Sequence, residues 1–180
     1  MQRRALFSFA GAALLAGCGF QLRKPPDFAF DTLVVNAPES SPLGAELRRS
    51  VAAEGKVRVL TAAAAPAPAA SAASAPAAAS ATRQVTFDLL QEQREKVVVG
   101  LNSSGQVTEF QLRSRIRFRV RDAQGRELIP DTELEQHRDI SFNESAVLAK
   151  EAEESLLYRD MQTDLVQQLM RRLAAVRPQA

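Results

Sequence analysis

Residues 112–121 alternate without a break between arginine and apolar or small side chains, and a two-residue period belongs to a strand. Leu112, Ser114, Ile116, Phe118 and Val120 fall on one side, Arg113, Arg115, Arg117, Arg119 and Arg121 on the other. Such a strand has one face on a core and one face in water, which points to a sheet covered by helix on one side. Neighbouring guanidinium groups lie about 7 Å apart and repel by about 0.6 kcal/mol per pair in water. Two readings of the ladder stand side by side. It is a solvated face with partial ion pairing, or a platform for phosphates or carboxylates, both of which arginine engages through paired hydrogen bonds.

The flanking sequence builds a fold around this strand. Asn102-Ser103-Ser104-Gly105 is a turn signal. Pairing outward from it sets Phe110 opposite Val97, Phe118 opposite Leu89 and Val120 opposite Phe87, with a bulge expected near 92–95. The same register puts Asp88 opposite Arg119, Glu92 opposite Arg115 and Arg94 opposite Arg113. A further strand is expected over 126–140, where Pro130 marks a bulge or an edge. Upstream, residues 32–35 read as a strand and 56–60 as another. Between them Ser41 caps a helix that has Pro42 at its first position, a stripe of Leu43, Leu47 and Val51, and Gly55 as its stop. The last helix runs to about Ala175, capped by Asn143 or by Ser141 in a capping box with Glu144. Leu157, Met161, Leu165, Leu169 and Leu173 give it one apolar side. The expected fold is an α/β (α+β) sandwich, two helices on a mixed sheet of about four to five strands with a long hairpin. Residues 62–81 are only Ala, Pro and Ser and predict a disordered insert.

The N-terminus addresses the chain. Arg3 and Arg4 precede an apolar run over 5–16, too short to span a bilayer and suited to a signal peptide over 1–17. Leu15-Ala16-Gly17-Cys18 resembles the lipobox of bacterial lipoproteins, whose cysteine is acylated and becomes the mature N-terminus. An ordinary leader with a chance cysteine is the plainer alternative. Gly19, where those lipoproteins use aspartate to stay at the inner membrane, implies the outer membrane. The mature chain, 18–180, is then one lipid-anchored domain, multiple acyl chains being needed for firm anchoring. Removing Arg3 and Arg4 leaves 21 basic and 21 acidic residues, a balance that argues against nucleic acid as a partner. Cys18 is the only cysteine, so with its thiol acylated none remains for a disulfide, and the covalent lipid is the only non-protein group expected. His137 is the only histidine and has no nucleophile or second ligand arranged in sequence around it; the chain does not read as an enzyme.

Several stretches resemble the lipopolysaccharide-assembly lipoprotein family LptE, also called RlpB. They are Cys18-Gly19-Phe20-Gln21-Leu22-Arg23, Glu109-Phe110-Gln111-Leu112, Phe142-Asn143-Glu144, Leu148-Ala149-Lys150-Glu151, Leu157-Tyr158-Arg159-Asp160-Met161 and Gln167-Gln168-Leu169-Met170-Arg171-Arg172-Leu173. The resemblance implies a small α/β sandwich. It also implies that the domain plugs the outer-membrane β-barrel LptD, one copy to one, helps that barrel assemble, and binds lipopolysaccharide. Lys150 falls where the family has a basic residue linked to lipopolysaccharide; it is equally a partner for Glu154 four residues on. Ser103 stands where members can carry a turn arginine, so Arg94, Lys96 and Arg113 are expected to supply the charge, with Arg115 of the ladder beside them. The competing reading is a free-standing periplasmic lipoprotein that binds an anionic lipid or another envelope ligand.

Overall fold

The computed structural model describes residues 26–61 and 83–178; the leader, Cys18 and the 62–81 insert lie outside the described residues. Five strands form one sheet: β1 (Thr32–Asn36), β2 (Arg58–Thr61), β3 (Gln84–Leu101), β4 (Val107–Asp122) and β5 (Glu127–Ser141), in the order β2-β1-β3-β4-β5. β1 is parallel to both β2 and β3, whereas β3, β4 and β5 form an antiparallel meander. Two helices, α1 (Pro42–Ala53) and α2 (Val147–Ala175), lie on one face of the sheet.

The short parallel unit forms as its sequence dictates. The Ser41 hydroxyl accepts a hydrogen bond from the Gly44 amide at 2.9 Å, and Pro42 takes a position whose amide has no helical partner. Gly44 is needed for packing, because a Cβ there would stand 2.7 Å from that of Ala37. Gly55 follows the helix at φ +68°, a conformation open to glycine at little cost. Leu43, Leu47 and Val51 meet Leu33 and Val35 of β1 in the main core. β2 begins at Arg58, two residues later than the alternation suggests.

The hairpin departs from the expected register in its upper part. Phe87–Val120, Leu89–Phe118 and Asp88–Arg119 pair as expected. A bulge at Leu90, earlier than 92–95, then shifts the ladder by one residue. Phe110 therefore faces Val98 rather than Val97, Arg115 faces Gln93 rather than Glu92, and Arg113 faces Glu95 rather than Arg94. The Leu89-Leu90 doublet explains the bulge: with Phe87 and Leu89 on the core, Leu90 is accommodated outside the regular alternation and is left 44% exposed. The shift carries Arg94 and Lys96 from the arginine face to the helix face.

The 15-residue β5 is an edge strand, and its register with β4 slips between Phe118–Thr132 and Val120–Ile129, around Pro130. The Ser141 capping box does not form, because Ser141 is still extended and paired with Glu109. Asn143 instead accepts from the Ser145 amide at 3.0 Å and caps a 3-10 turn (Glu144–Ala146) that leads into α2.

The core has two parts. The main one holds Phe30, Leu33, Val35, Phe87, Ile116, Phe118 and Val120 under α1 and the second half of α2. Phe87 and Phe118 stack across the hairpin with ring centroids 5.5 Å apart. A smaller one, Leu112, Ile140 and Met161 with Phe110, Leu157 and Tyr158 against it, lies under the first half of α2.

Candidate functional site

β3 starts beside the first residue of β1, where the chain enters the domain, and runs for 18 residues, about 60 Å, to the hairpin turn. The small core and the start of α2 sit toward that far end. There Phe110 and Phe142 meet edge to face at 5.3 Å, and with Ile140 and Val147 they line a pocket of about 110 Å³. Lys96 and Lys150 stand at its rim. The Lys96 ammonium lies 4.4 Å from the centre of the Phe110 ring and 2.6 Å from a Glu154 carboxylate oxygen. Lys150 donates to the Ser141 hydroxyl at 3.1 Å and to Glu153 at 2.9 Å. Its carboxylate partner is thus Glu153, three residues on, and not Glu154, which is taken by Lys96.

Large apolar side chains lie open toward the same end: Val98 and Val99 at 46% exposure, Leu101 at 62% and Leu148 at 83%. An apolar pocket that carries two cations, at an end of the sheet with exposed apolar side chains, fits an amphiphile: an anionic group on the lysines and apolar parts in the pocket and over the exposed surface. These apolar residues were not singled out from sequence. Two signals were available: Val97-Val98-Val99 puts apolar side chains on both faces of a strand, and Val147-Leu148 lies off the buried stripe of α2.

The five candidate cations fall into three places. Lys96 and Lys150 share the pocket. Arg94, on the same face, lines a separate open groove of about 460 Å³ with Pro38, Ser41, Pro42 and Leu89–Glu92. It lies 5.5 Å from the Tyr158 ring centre and donates to Gln162 at 2.6 Å; Gln162 and Thr163 in turn donate to Glu46 of α1. Arg94 thus ties β3 to both helices. Burial, with the nearby Glu154 charge, raises the Tyr158 phenol above its ordinary pKa, and its hydroxyl donates to the Glu95 carbonyl at 2.8 Å.

Arg113 and Arg115 lie on the opposite face of the sheet with the rest of the ladder, which is largely ion-paired. Arg115 meets Glu133 at 3.1 Å and Glu135 at 3.0 Å, and these partners, the Glu135 hydrogen bond first, raise its pKa further. Arg117 pairs with Asp131. Arg119 and Arg121 share one oxygen of Asp88 at 3.0 and 2.8 Å, while Asn36 donates to the other at 2.9 Å. Burial alone would raise the Asp88 carboxyl, but the bonds from Asn36 and Arg119 and the charge of Arg121 outweigh it and hold the pKa below the ordinary value. Arg113 donates to Gln111 at 2.7 Å and has no ion pair among the described residues. Four of the five ladder arginines are thus ion-paired among the described residues.

The profile of the family described as LptE, lipopolysaccharide-assembly, matches residues 30–173. This chain belongs to the LptE family. Its role is accordingly in lipopolysaccharide assembly. The solution structure of lipoprotein B from Nitrosomonas europaea is similar at 30% identity, over 87% of this chain and 91% of that one, with a TM-score of 0.64. Rare lipoprotein B from Shewanella oneidensis matches at 20% identity, over 81% and 95% of the two chains, with a TM-score of 0.59. A minor lipoprotein from Acinetobacter baumannii matches at 18%, over 83% and 94%, with a TM-score of 0.58. The last two show the same fold. No curated protein sequence matches the chain at a significant level.

Proposed function

We propose that this LptE-family chain is an outer-membrane lipoprotein, anchored through acylated Cys18, that plugs the β-barrel LptD one to one and offers lipopolysaccharide a landing site at the tip of its hairpin. The observation that carries the landing site is that Lys96 and Lys150 share a pocket lined by Phe110, Ile140, Phe142 and Val147. An ammonium group is a compact point charge suited to a phosphate oxygen, and the apolar lining, with the open valines and leucines at the same end of the sheet, suits acyl chains. The pocket lies toward the end of the sheet away from where the chain enters, so an anchor upstream of Pro26 leaves the tip free to reach away from the membrane. Family membership supports the lipopolysaccharide. The resemblance of the mature sequence supports the barrel.

Purification of the C-terminally tagged chain from gently solubilised outer membranes tests the partner. Recovery with a near-equimolar large β-barrel is expected. Recovery of the folded lipoprotein alone at full yield would favour a free-standing lipid binder. Labelling with a tagged fatty acid tests the attachment, with incorporation expected in the wild type and lost on Cys18→Ser.

A further inference from the structure

We infer that Glu153 and Glu154 are built-in competitors for the tip site: they occupy Lys150 and Lys96 when no lipid is bound and must yield when an anionic headgroup arrives. The inference rests on the reading of the lysine pocket as a lipid site and adds a limit on how tightly that site can hold its ligand.

The charge balance around the pocket raises the question. Two lysines face three carboxylates, since Glu151 also lines the pocket and Glu153 reaches Lys150. A site left in that state repels a phosphate. Each lysine, however, has two holds of different kinds. Lys96 rests on the Phe110 ring and pairs with Glu154; Lys150 is bound by the Ser141 hydroxyl and pairs with Glu153. The ring and the hydroxyl are neutral and can keep the ammonium groups in place while a phosphate is bound. The two carboxylates are the holds that an incoming anion replaces.

Binding is therefore an exchange of one anionic partner for another, and its net gain is small by construction. Both glutamates sit on α2 with partly exposed side chains, Glu154 at 23% and Glu153 at 48%. They can swing to solvent without unpacking the core. A chain that passes lipid onward needs ready release, and the returning carboxylates supply it.

The test is lipopolysaccharide binding by the purified mature chain, comparing wild type with E153Q, E154Q, the double variant, K96A and K150A. Glutamine keeps the shape and removes the competing charge. Each single glutamine variant is expected to tighten binding about 2- to 5-fold, the range set by a partly exposed ion pair. The double variant should also show a steeper loss of affinity with salt, because more uncompensated positive charge meets the ligand. A merely structural role for the glutamates would shift thermal stability without steepening the salt dependence. Inorganic phosphate serves as competitor: displacement by phosphate alone would assign the recognition to the headgroup anion, and retention of binding would assign it to the lipid as a whole. If K96A and K150A weaken binding but both glutamine variants bind as wild type or worse, the competition is overturned and the lipid site stands. If K96A and K150A leave binding unchanged, the lipid site itself falls.

Discussion

The two ends of one hairpin and one helix are built to different standards. Near the chain's entrance, Phe30, Phe87, Phe118, Leu165, Leu169 and Leu173 are sealed between sheet and both helices. At the tip the same β3, β4 and α2 enclose only Leu112, Ile140 and Met161 and leave Val98, Val99, Leu101 and Leu148 open. α1 accounts for much of the difference, since it packs over β1 and β2 and against α2 and does not reach the hairpin tip. Burial is concentrated where it secures the fold, and the poorly buried end leaves apolar surface and ion-paired lysines partly open to solvent.

Substitutions in the two cores give the largest test of that contrast. Phe118→Ala should cost about 3–5 kcal/mol and unfold the whole domain at lower denaturant. Met161→Ala should cost about 2 kcal/mol, near the low end for such a change, because the tip can relax around it. Hydrogen exchange should then show faster opening confined to the tip, with the main core still protected. Equal effects at both sites would erase the distinction.

Asp88 is the next lever and belongs to the sealed end. Asp88→Ala removes the shared partner of Arg119 and Arg121, and a loss of about 1–2 kcal/mol in urea unfolding is expected. Its folded pKa is depressed, so the stability it contributes is fully present above the unfolded carboxyl pKa of about 3.9 and is lost as pH falls through the lower folded value. Asp88→Asn should lack that part of the acid dependence.

Smaller effects on stability sharpen the tip. Lys150→Ala and Leu148→Ser should each change unfolding free energy by no more than about 0.5 kcal/mol, yet both should weaken lipopolysaccharide binding in a co-sedimentation or fluorescence assay. Arg115→Ala, on the ion-paired face, should leave that binding as it is.

Local pattern carried most of the fold. Ser41-Pro42, Gly55 and the Leu43-Leu47-Val51 stripe placed α1, and the Met161-Leu165-Leu169-Leu173 stripe placed the buried side of α2, because each depends on residues a few positions apart. The hairpin was legible as far as Leu89. Beyond it the register turns on whether Leu90 bulges, which depends on the main core holding Phe87 and Leu89 in phase. That single residue moved Arg94 and Lys96 to the helix face and parted them from Arg113 and Arg115. The candidate site is correspondingly half legible: Lys96 and Lys150 stand out in the sequence, but not as neighbours, and the apolar lining they share does not.

The sequence alone determined which side chains could be buried and which strand face would carry arginine, because periods of two and of about 3.6 are written in adjacent residues. It also supplied the stretches that resemble LptE. Tertiary structure decided the pairings between distant segments: Lys96 with Glu154, and Arg94 with Gln162. Those contacts exist because the bulged hairpin and the long helix lie against one another, and nothing in a local pattern specifies how two such elements align.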